Sequence, residues 1–246
     1  MRYELFYWPS IQGRGEFVRL VFEAAGAEYI DVGRESDNGM GVTAMQQMLD
    51  DHASTHQPFA PPYLRVGDFM IGQTANILAY VGPRVALAPR AADERLWANQ
   101  LQLTVMDCVT QVHDTHHPIG SSLYYQDQLA EAARASRVFL TERLPKFLNY
   151  FEAVLQANTT GNARTRGFML GRRLTYVDLS IFQLVAGLGY AFPAAMNARA
   201  SSIPGLLALH RRVAEHPPVA DYLASPRRIP FNERGIFRHY PELDAV

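Results

Sequence analysis

Hydrophobic and polar residues alternate at the start of the chain and then change to a helical spacing. Residues 2–9 alternate and are rich in aromatic side chains, which is typical of a β-strand. A proline and two glycines end this alternation, and from Glu16 onward the apolar residues recur at the spacing of an α-helix. The pattern predicts a strand that delivers Tyr7 to a turn just before a helix N-terminus. The backbone N–H groups and the helix dipole there favour a bound anion or thiolate.

The same reasoning predicts that residues 1–82 form a mixed unit of strands and helices. Gly26 stands where the first helix should end, because glycine readily adopts the left-handed conformation of a helix C-cap. A strand reached by such a short return must run parallel to the first strand. Gly67 and Asp68 are a two-residue signal for a β-hairpin turn. After the first helix, the predicted elements are strand 27–32, helix 42–50, hairpin 62–71 and helix 73–81.

Beyond a proline-containing linker, residues 83–90, the pattern becomes helical with little strand signal. Thr175 and Asp178 have the spacing of a capping box before a long apolar run, with aspartate in place of the usual glutamate or glutamine. Residues 226–246 mix prolines, arginines and aromatic residues, which predicts either a surface tail or a lid. The helices predicted within residues 91–225 are 91–115, 124–157, 175–190, 204–215 and 218–224.

Composition and charge limit the possible classes of protein. The chain has 246 residues, of which 48% are hydrophobic and 19% charged, so it should fold into one large domain or two modest ones. A formal net charge of -1 offers no general attraction to nucleic acid. No apolar run approaches the roughly 18 residues of a membrane span, and the first strand begins without a signal-peptide pattern. We therefore expect a cytoplasmic protein with no nucleic-acid or membrane partner.

Few residues outside the first strand carry an obvious chemistry. Cys108 is the only cysteine, which excludes an intrachain disulfide, and its apolar surroundings predict a buried inert thiol. His113, His116 and His117 lie on one face of a helix that Pro118 should end. Three imidazoles at this spacing could ligate zinc, but histidines at a helix C-terminus also interact well with the helix dipole. We favour the capping role and predict no metal site.

Six features in this order resemble the cytosolic glutathione transferase family over nearly the whole chain. They are a Tyr-Trp-Pro strand end, a Gly-Arg-Gly-Glu helix start, a proline-opened hairpin, a Gln-Thr helix start, an all-helical second half and a Thr-x-x-Asp box. Tyr7 and Pro9 are most similar to the tyrosine-type classes mu, pi and sigma. The resemblance implies an α+β fold, with a thioredoxin-like glutathione-binding domain in residues 1–82 and an all-α helical bundle in residues 91–225.

The resemblance also implies roles for particular residues of the first domain. Tyr7 would be the catalytic residue, whose hydroxyl donates a hydrogen bond to the sulfur of glutathione. Beside these implied roles, Arg14 near the helix start could strengthen the positive field around the thiolate, or it could be a solvated or dimer-contact residue. Pro62 would be a cis-proline, and Gln73 and Thr74 would hold the γ-glutamyl carboxylate at a helix N-terminus.

Further residues are implied for the electrophile pocket and for a dimer. Asp107 matches an aspartate that in several classes reaches across a dimer interface to the γ-glutamyl amine, so we expect a homodimer. Ser10 is the rival of Tyr7, because several classes use a serine just after this strand. The tentative residues of the substrate pocket are Ser10, His113, His117 and Tyr124.

Two departures from the family pattern affect the predicted glutathione site. The residue before the cis-proline normally offers both its N–H and its carbonyl to the ligand, but here it is Pro61, which has no N–H. A tryptophan and a lysine that bind the glycyl carboxylate in some classes have no counterpart in residues 33–60. The possible substitutes are Arg34, His52, His56 and Gln57.

The implied function is conjugation of glutathione, the co-substrate, to electrophilic small molecules. A free thiol has a pKa of about 8.5, so only roughly 3% is thiolate at pH 7. A hydrogen bond from Tyr7 would lower the pKa of the bound thiol and so create the nucleophile. The same thiolate could serve an isomerase, a peroxidase or an ether-cleaving lyase. The alternative from another class is a catalytically silent protein with this fold that binds or scaffolds.

Overall fold

A small twisted sheet organises the first third of the chain. The computed structural model describes residues 2–36, 39–51, 55–160 and 167–245. The strands are β1 Tyr3–Phe6, β2 Tyr29–Asp31, β3 Tyr63–Val66 and β4 Phe69–Gly72. They form one sheet with the order β2-β1-β3-β4. Strand β1 pairs in parallel with β2 and antiparallel with β3, and β3 pairs antiparallel with β4. The parallel crossover and the hairpin are therefore confirmed.

Within the described residues, three α-helices accompany this sheet. They are α1 Gly15–Ala25, α2 Gly41–Leu49 and α3 Thr74–Arg84. Helix α1 buries an apolar face that includes Phe17 and Leu20, which belong to the same core cluster as Leu5 of the central strand β1. Gly26 ends α1 with a φ of 61°, the left-handed conformation predicted for a helix C-cap. Helix α3 is longer than the predicted 73–81, and it carries Pro83 in its final turn.

The second part of the chain consists of helices and their connecting loops, with no strand among its described residues. Two predicted features differ from the structure. The predicted helix 124–157 is divided by a π-helical turn, Phe139–Arg143, and a short helix after residue 192 was not predicted. The helices are α4 Ala92–His116, α5 Leu129–Val138, α6 Leu144–Thr160, α7 Tyr176–Ala191, α8 Pro193–Arg199, α9 Pro204–Ala214 and α10 Pro217–Leu223.

Both differences have identifiable physical causes. Pro145 has no N–H and cannot make the α-helical hydrogen bond to the residue four positions earlier, so the ladder changes register just before it. The short helix α8 begins at Pro193, a favourable first helical residue. The side chain of Asp244 accepts hydrogen bonds from the amides of Ala194 and Ala195 at 2.6 and 3.0 Å, so a distant carboxylate caps this helix.

Helix α7 forms the centre of the helical part. Its N-terminus has the predicted capping box, because Asp178 accepts hydrogen bonds from both the amide and the hydroxyl of Thr175 at 2.7 Å. Asp178 also accepts one from the amide of Met169 at 2.6 Å, which ties the preceding loop to the helix. Within the described residues, no individual helix is long and apolar enough to span a membrane. Helix α7 and the following segment Pro193–Ser202 reach that length and apolar character only when they are counted together, and the chain bends by 118° between them.

The C-terminal segment, residues 226–245, is an integral part of the helical core. Ile236 and Phe237 are 7% and 2% exposed. The ring of Phe237 packs so closely on Gly187 of α7 that a Cβ atom there would lie 2.4 Å from it. Asn232 donates a hydrogen bond to the carbonyl of Ser10 at 2.9 Å. The segment is therefore packed against α7 and the loop after β1, and it is not a free surface tail.

Candidate active site

Tyr7 lies just after β1, beneath the loop that leads into α1. Its side chain is 4% exposed, and its hydroxyl accepts a hydrogen bond from the amide of Arg14 at 2.8 Å. Gly13 and Gly15 make this contact possible, because a Cβ atom would lie 2.1 Å from the Tyr7 hydroxyl at Gly13 and 2.5 Å from its ring at Gly15. The Gly-Arg-Gly sequence therefore serves to bring the backbone against this phenol.

The surroundings of Tyr7 keep its phenol protonated. Burial raises the pKa of Tyr7, while the amide of Arg14 and the guanidinium groups of Arg14 and Arg19 act in the opposite direction. The oxygen already accepts the Arg14 amide, and within the described residues the phenol hydrogen has no hydrogen-bond acceptor.

Arg14 connects the two halves of the molecule. Its guanidinium donates a hydrogen bond to the hydroxyl of Thr110 at 2.9 Å and lies 4.0 Å from the sulfur of Met106, both on α4. The same side chain lines a cavity of about 290 Å³ between α3 and α4. The side chain of Arg14 therefore belongs both to the interdomain contact and to a cavity wall.

The N-terminus of α3 forms the opposite wall of this cavity. Gln73 has a φ of 68°, a conformation that is uncommon outside glycine, and it directly precedes the helix. Thr74 is 3% exposed, and its hydroxyl has no hydrogen-bond partner within the described residues. Buried hydroxyls are usually paired, so the Thr74 hydroxyl is a candidate for contact with a ligand. The lining residues are Arg14, Gln73, Thr74, Ala75, Asn76, Asn99, Leu103 and Met106.

The structure thus brings three of the predicted binding residues, Arg14, Gln73 and Thr74, to one cavity. The bond between Pro61 and Pro62 is cis, as the resemblance implied. Neither proline lines this cavity. Tyr7 is also absent from its lining, but its hydroxyl accepts a hydrogen bond from the amide of Arg14, a residue that does line the cavity.

Other predicted residues lie outside this cavity. Ser10 is exposed in the loop after β1, and its carbonyl accepts the hydrogen bond from Asn232. Asp107 is exposed on α4, next to the cavity residue Met106. Tyr124 is 78% exposed in the connection between α4 and α5. Their predicted roles in a substrate pocket or a dimer remain predictions.

The three histidines gather at the C-terminus of α4, as predicted. The ring centroids of His113 and His117 lie 4.9 Å apart in a stacked arrangement. His116 is 1% exposed and its Nε2 lies 2.8 Å from the carbonyl of Ile236, while His117 Nδ1 lies 3.1 Å from the carbonyl of Leu123. Burial lowers the pKa of His116 to about 3 and also lowers that of His117. Among the described residues, no group of three or more histidine, cysteine, aspartate or glutamate side chains could hold a metal ion.

The suggested substitutes for the missing glycyl-carboxylate partners remain predictions. The guanidinium of Arg34 donates hydrogen bonds to the carbonyls of Pro226 and Arg227 in the C-terminal segment. His52 lies outside the described residues. His56 and Gln57 are exposed in the segment before the cis-proline.

Sequence reasoning missed the contribution of α4 to the cavity. Asn99, Leu103 and Met106 line it, and they follow the i, i+4, i+7 spacing of one helix face. Leu103 is 51% exposed, an unusual position for a leucine on a long helix. That spacing was a usable signal, but it required knowing which side of α4 faces α3.

Comparison with known proteins identifies the class of fold. The structure of a Pi-class glutathione S-transferase from Onchocerca volvulus matches with a TM-score of 0.70 at 20% identity, covering 96% of this chain and 99% of that chain. Prostaglandin synthase D of Nilaparvata lugens matches with a TM-score of 0.68 at 17% identity, covering 94% of this chain and 100% of that one. The fold is therefore the glutathione transferase fold, a thioredoxin-like domain followed by a helical domain.

Sequence comparison points to the same family. Residues 113–226 match the family model described as glutathione S-transferase, C-terminal domain. A glutathione S-transferase of Plasmodium falciparum is 24% identical over 222 residues, which are 90% of this chain and 95% of the relative. Glutathione S-transferase P 1 of Xenopus laevis is 23% identical over 235 residues, 95% of this chain and 96% of the relative. Together with the fold, these matches support the glutathione S-transferase family, which consists of enzymes.

Proposed function

We propose that this protein is a tyrosine-type glutathione transferase that binds glutathione in the cavity between α3 and α4. The observation that carries the proposal is the unpaired hydroxyl of Thr74, which lies 3% exposed at the N-terminus of an 11-residue helix. A carboxylate is the natural acceptor for that hydroxyl and for the free amides of the first helical turn. Arg14 lines the same cavity and adds positive charge for an anionic ligand.

Tyr7 is the proposed activator of the glutathione thiol. The hydrogen bond from the Arg14 amide polarises the phenol, and the protonated hydroxyl donates to the bound sulfur. This donor stabilises the thiolate relative to the thiol, so the proton leaves to water at neutral pH. The thiolate then attacks an electrophilic carbon, and the new carbon–sulfur bond forms as the leaving group departs or as electrons move onto the acceptor.

A homodimer belongs to the same proposal. Several large apolar side chains are exposed on the segment before β3 and on one side of α4, with Phe59 at 95%, Leu96 at 70% and Leu103 at 51%. Such side chains favour burial against a partner. Asp107 is exposed on the same helix, and in a dimer it would approach the partner's bound γ-glutamyl amine. We place this activity in the cytoplasm.

The test combines calorimetry with an activity assay. Titration of glutathione should release heat with a one-to-one stoichiometry per chain, and a chloronitroarene should be conjugated in its presence. Tyr7→Phe should retain binding and lose most of the turnover, because the ring remains and only the donor is removed. Thr104→Val is a matched control, because the Thr104 hydroxyl donates only to the Gln100 carbonyl of its own helix, at 3.0 Å. Binding and turnover that are equal in the three proteins would contradict the assignment of Tyr7.

Pro61 favours a second candidate, a catalytically silent binding protein with this fold. Pro61 precedes the cis-proline and offers a carbonyl but no N–H to the cysteinyl part of glutathione. A silent protein would show neither glutathione binding nor turnover. Binding without conjugation of any chloronitroarene would instead favour an isomerase, peroxidase or lyase that uses the same thiolate.

A further inference from the structure

A buried polar network joins the C-terminal segment to the loop that follows β1. Glu16 is 0% exposed and accepts hydrogen bonds from the Tyr222 hydroxyl at 2.6 Å and from the guanidinium of Arg228. Arg228 also donates to Gln183 Oε1 at 2.9 Å. Gln183 in turn donates from Nε2 to Gln12 Oε1 at 2.8 Å. A continuous series of hydrogen bonds therefore runs from residue 228 to residue 12.

The chemistry of these groups allows only one direction for the series. Arg228 carries only donors, so the amide oxygen of Gln183 must face it and the amide nitrogen of Gln183 must face Gln12. Gln12 then presents its own nitrogen to the carbonyl of Ile229, and the structure has this hydrogen bond. The side-chain nitrogen and oxygen of both glutamines therefore each have a hydrogen-bond partner of the opposite kind. Removing any member would leave a buried amide unpaired.

Buried charged groups also hold the loop that follows β1. Arg19 is fully buried and donates to Asp31 Oδ2 at 2.7 Å, which fixes the guanidinium beneath the loop. From that position it donates to the carbonyls of Ile11 and Gln12 at 3.4 and 3.3 Å. Both the backbone and the side chain of Gln12 are therefore held by buried donors or acceptors. Such doubly held loops have little freedom to shift.

We propose that Gln12, Gln183 and Arg228 are positioning residues that set the place of the Arg14 amide against the phenol of Tyr7. The inference rests on the proposed function of Tyr7 for its catalytic consequence. Its structural part is independent of that function, because the contact between Arg14 and Tyr7 is present without a ligand.

The position of Gln12 in the chain explains how the network acts. Gln12 is followed by Gly13, whose φ of +44° turns the backbone directly over the Tyr7 hydroxyl. The carbonyl of Gln12 also accepts the amide of Glu16 at 3.0 Å, at the start of α1. A small shift of Gln12 therefore moves the Arg14 amide, and the hydrogen bond to the phenol depends steeply on distance and angle.

The experiment uses two variants and one control in the full-length protein. Gln183→Met keeps the side-chain volume but removes both hydrogen bonds of the series. Arg228→Lys keeps the positive charge beside Glu16 and removes the fork that also reaches Gln183. Glu152→Gln is the control, because Glu152 caps α9 through the amides of Gly205 and Leu206 and does not contact the loop.

Two measurements separate this inference from the proposed function. The first is hydrogen exchange at the Arg14 amide in the ligand-free protein, which should become at least about tenfold faster in both variants and stay unchanged in the control. The second is the pKa of the bound glutathione thiol, which should rise by about half a unit or more with unchanged glutathione affinity. A network that is only structural would leave the thiol pKa unchanged, and it would speed exchange at the Arg14 amide no more than at other amides of the core.

The outcomes are distinct. Suppose that the wild type binds no glutathione and the Arg14 amide still exchanges faster in the two variants. This result would support the positioning role and contradict the proposed function. Unchanged exchange and unchanged thiol pKa in a folded variant would overturn the inference, as would equal changes in Glu152→Gln. If Gln183→Met does not fold, Arg228→Lys decides, because it leaves the buried charge of Glu16 paired.

Discussion

The amide of Arg14 donates a hydrogen bond to the hydroxyl of Tyr7 across 2.8 Å, and the intervening turn is built around this contact. The chain approaches the phenol so closely that only glycine fits at residue 13. The side chain of Arg14 then leaves the turn in the direction of α4 and the cavity beside α3. One residue thus links the buried phenol with the surface on which the proposed ligand binds.

Replacement of Gly13 by alanine should disrupt this contact. Gly13→Ala would place a Cβ atom 2.1 Å from the Tyr7 hydroxyl at a φ of +44°. We expect a loss of about 3 kcal/mol or more in the free energy of unfolding, measured by urea denaturation. Gly67→Ala is the matched control, because Gly67 has a φ of +61° with no atom within 4 Å of the added Cβ. It should cost only about 1–2 kcal/mol, and equal losses in the two variants would show that crowding at Tyr7 is unimportant.

Removal of the Thr74 hydroxyl should weaken glutathione binding without weakening the fold. Thr74→Val keeps the shape of the side chain and deletes an unpaired buried hydroxyl, so stability should be unchanged or higher. A hydrogen bond to a carboxylate is worth roughly 1.5–3 kcal/mol, so the Kd should rise by about ten- to hundredfold. Calorimetric titration measures this directly. An unchanged Kd would move the carboxylate site away from α3.

His116 should make the protein sensitive to acid. Its pKa is about 3 in the folded protein, against an ordinary value of 6.5, because burial disfavours the charged ring. The unfolded chain therefore binds the proton first, and stability is lost as the pH falls from about 6.5 toward 3, by at most about 1.4 kcal/mol per pH unit. Arg238, His113 and His117 also disfavour the charged form.

Thermal denaturation across this pH range provides the measurement. His116→Gln can still donate to the carbonyl of Ile236, and its melting temperature should depend less on pH than that of the wild type. His239→Gln is the control, because His239 Nδ1 lies 3.2 Å from the carbonyl of Ala191 and His239 is not among the groups that act on the charge of His116. If both variants keep the wild-type slope, other groups control the acid sensitivity.

Asp178 should be essential for the stability of the helical domain. Its carboxylate is fully buried and accepts hydrogen bonds from two amides and one hydroxyl, so Asp178→Asn would turn an NH2 group toward a donor. We expect a loss of about 2–4 kcal/mol in the free energy of unfolding. Asp127→Asn provides the comparison, since Asp127 accepts the Tyr124 amide at an exposed helix start. A similar small loss in both would show that burial adds nothing to the cap.

Much of the fold could be predicted from local patterns. The alternation of hydrophobic and polar residues predicted β1, and glycines predicted the end of α1 and the hairpin turn. The capping box at Thr175 predicted the start of α7. What failed depended on distant or subtle partners. Helix α8 is capped by Asp244, about fifty residues later in the chain, and the π-helical turn before Pro145 was hidden within a continuous apolar periodicity.

The candidate site shows the same division. Gln73 and Thr74 were predicted from the resemblance of a Gln-Thr helix start to the family motif, and both line the cavity. The network behind Tyr7 was not found, because Glu16 and Arg228 are separated by 212 positions and no local pattern relates them. The contacts of Arg34 were not found for the same reason, since the carbonyls that it binds belong to the C-terminal segment.

The most direct test of the account is a spectroscopic pH titration of glutathione bound to wild-type protein and to Tyr7→Phe. Thiolate absorbance should give a pKa for the bound thiol below the free value of about 8.5 in the wild type, and that pKa should rise by about one to two units in the variant at nearly unchanged affinity. An identical titration in the two proteins would contradict the claim that Tyr7 activates the thiol.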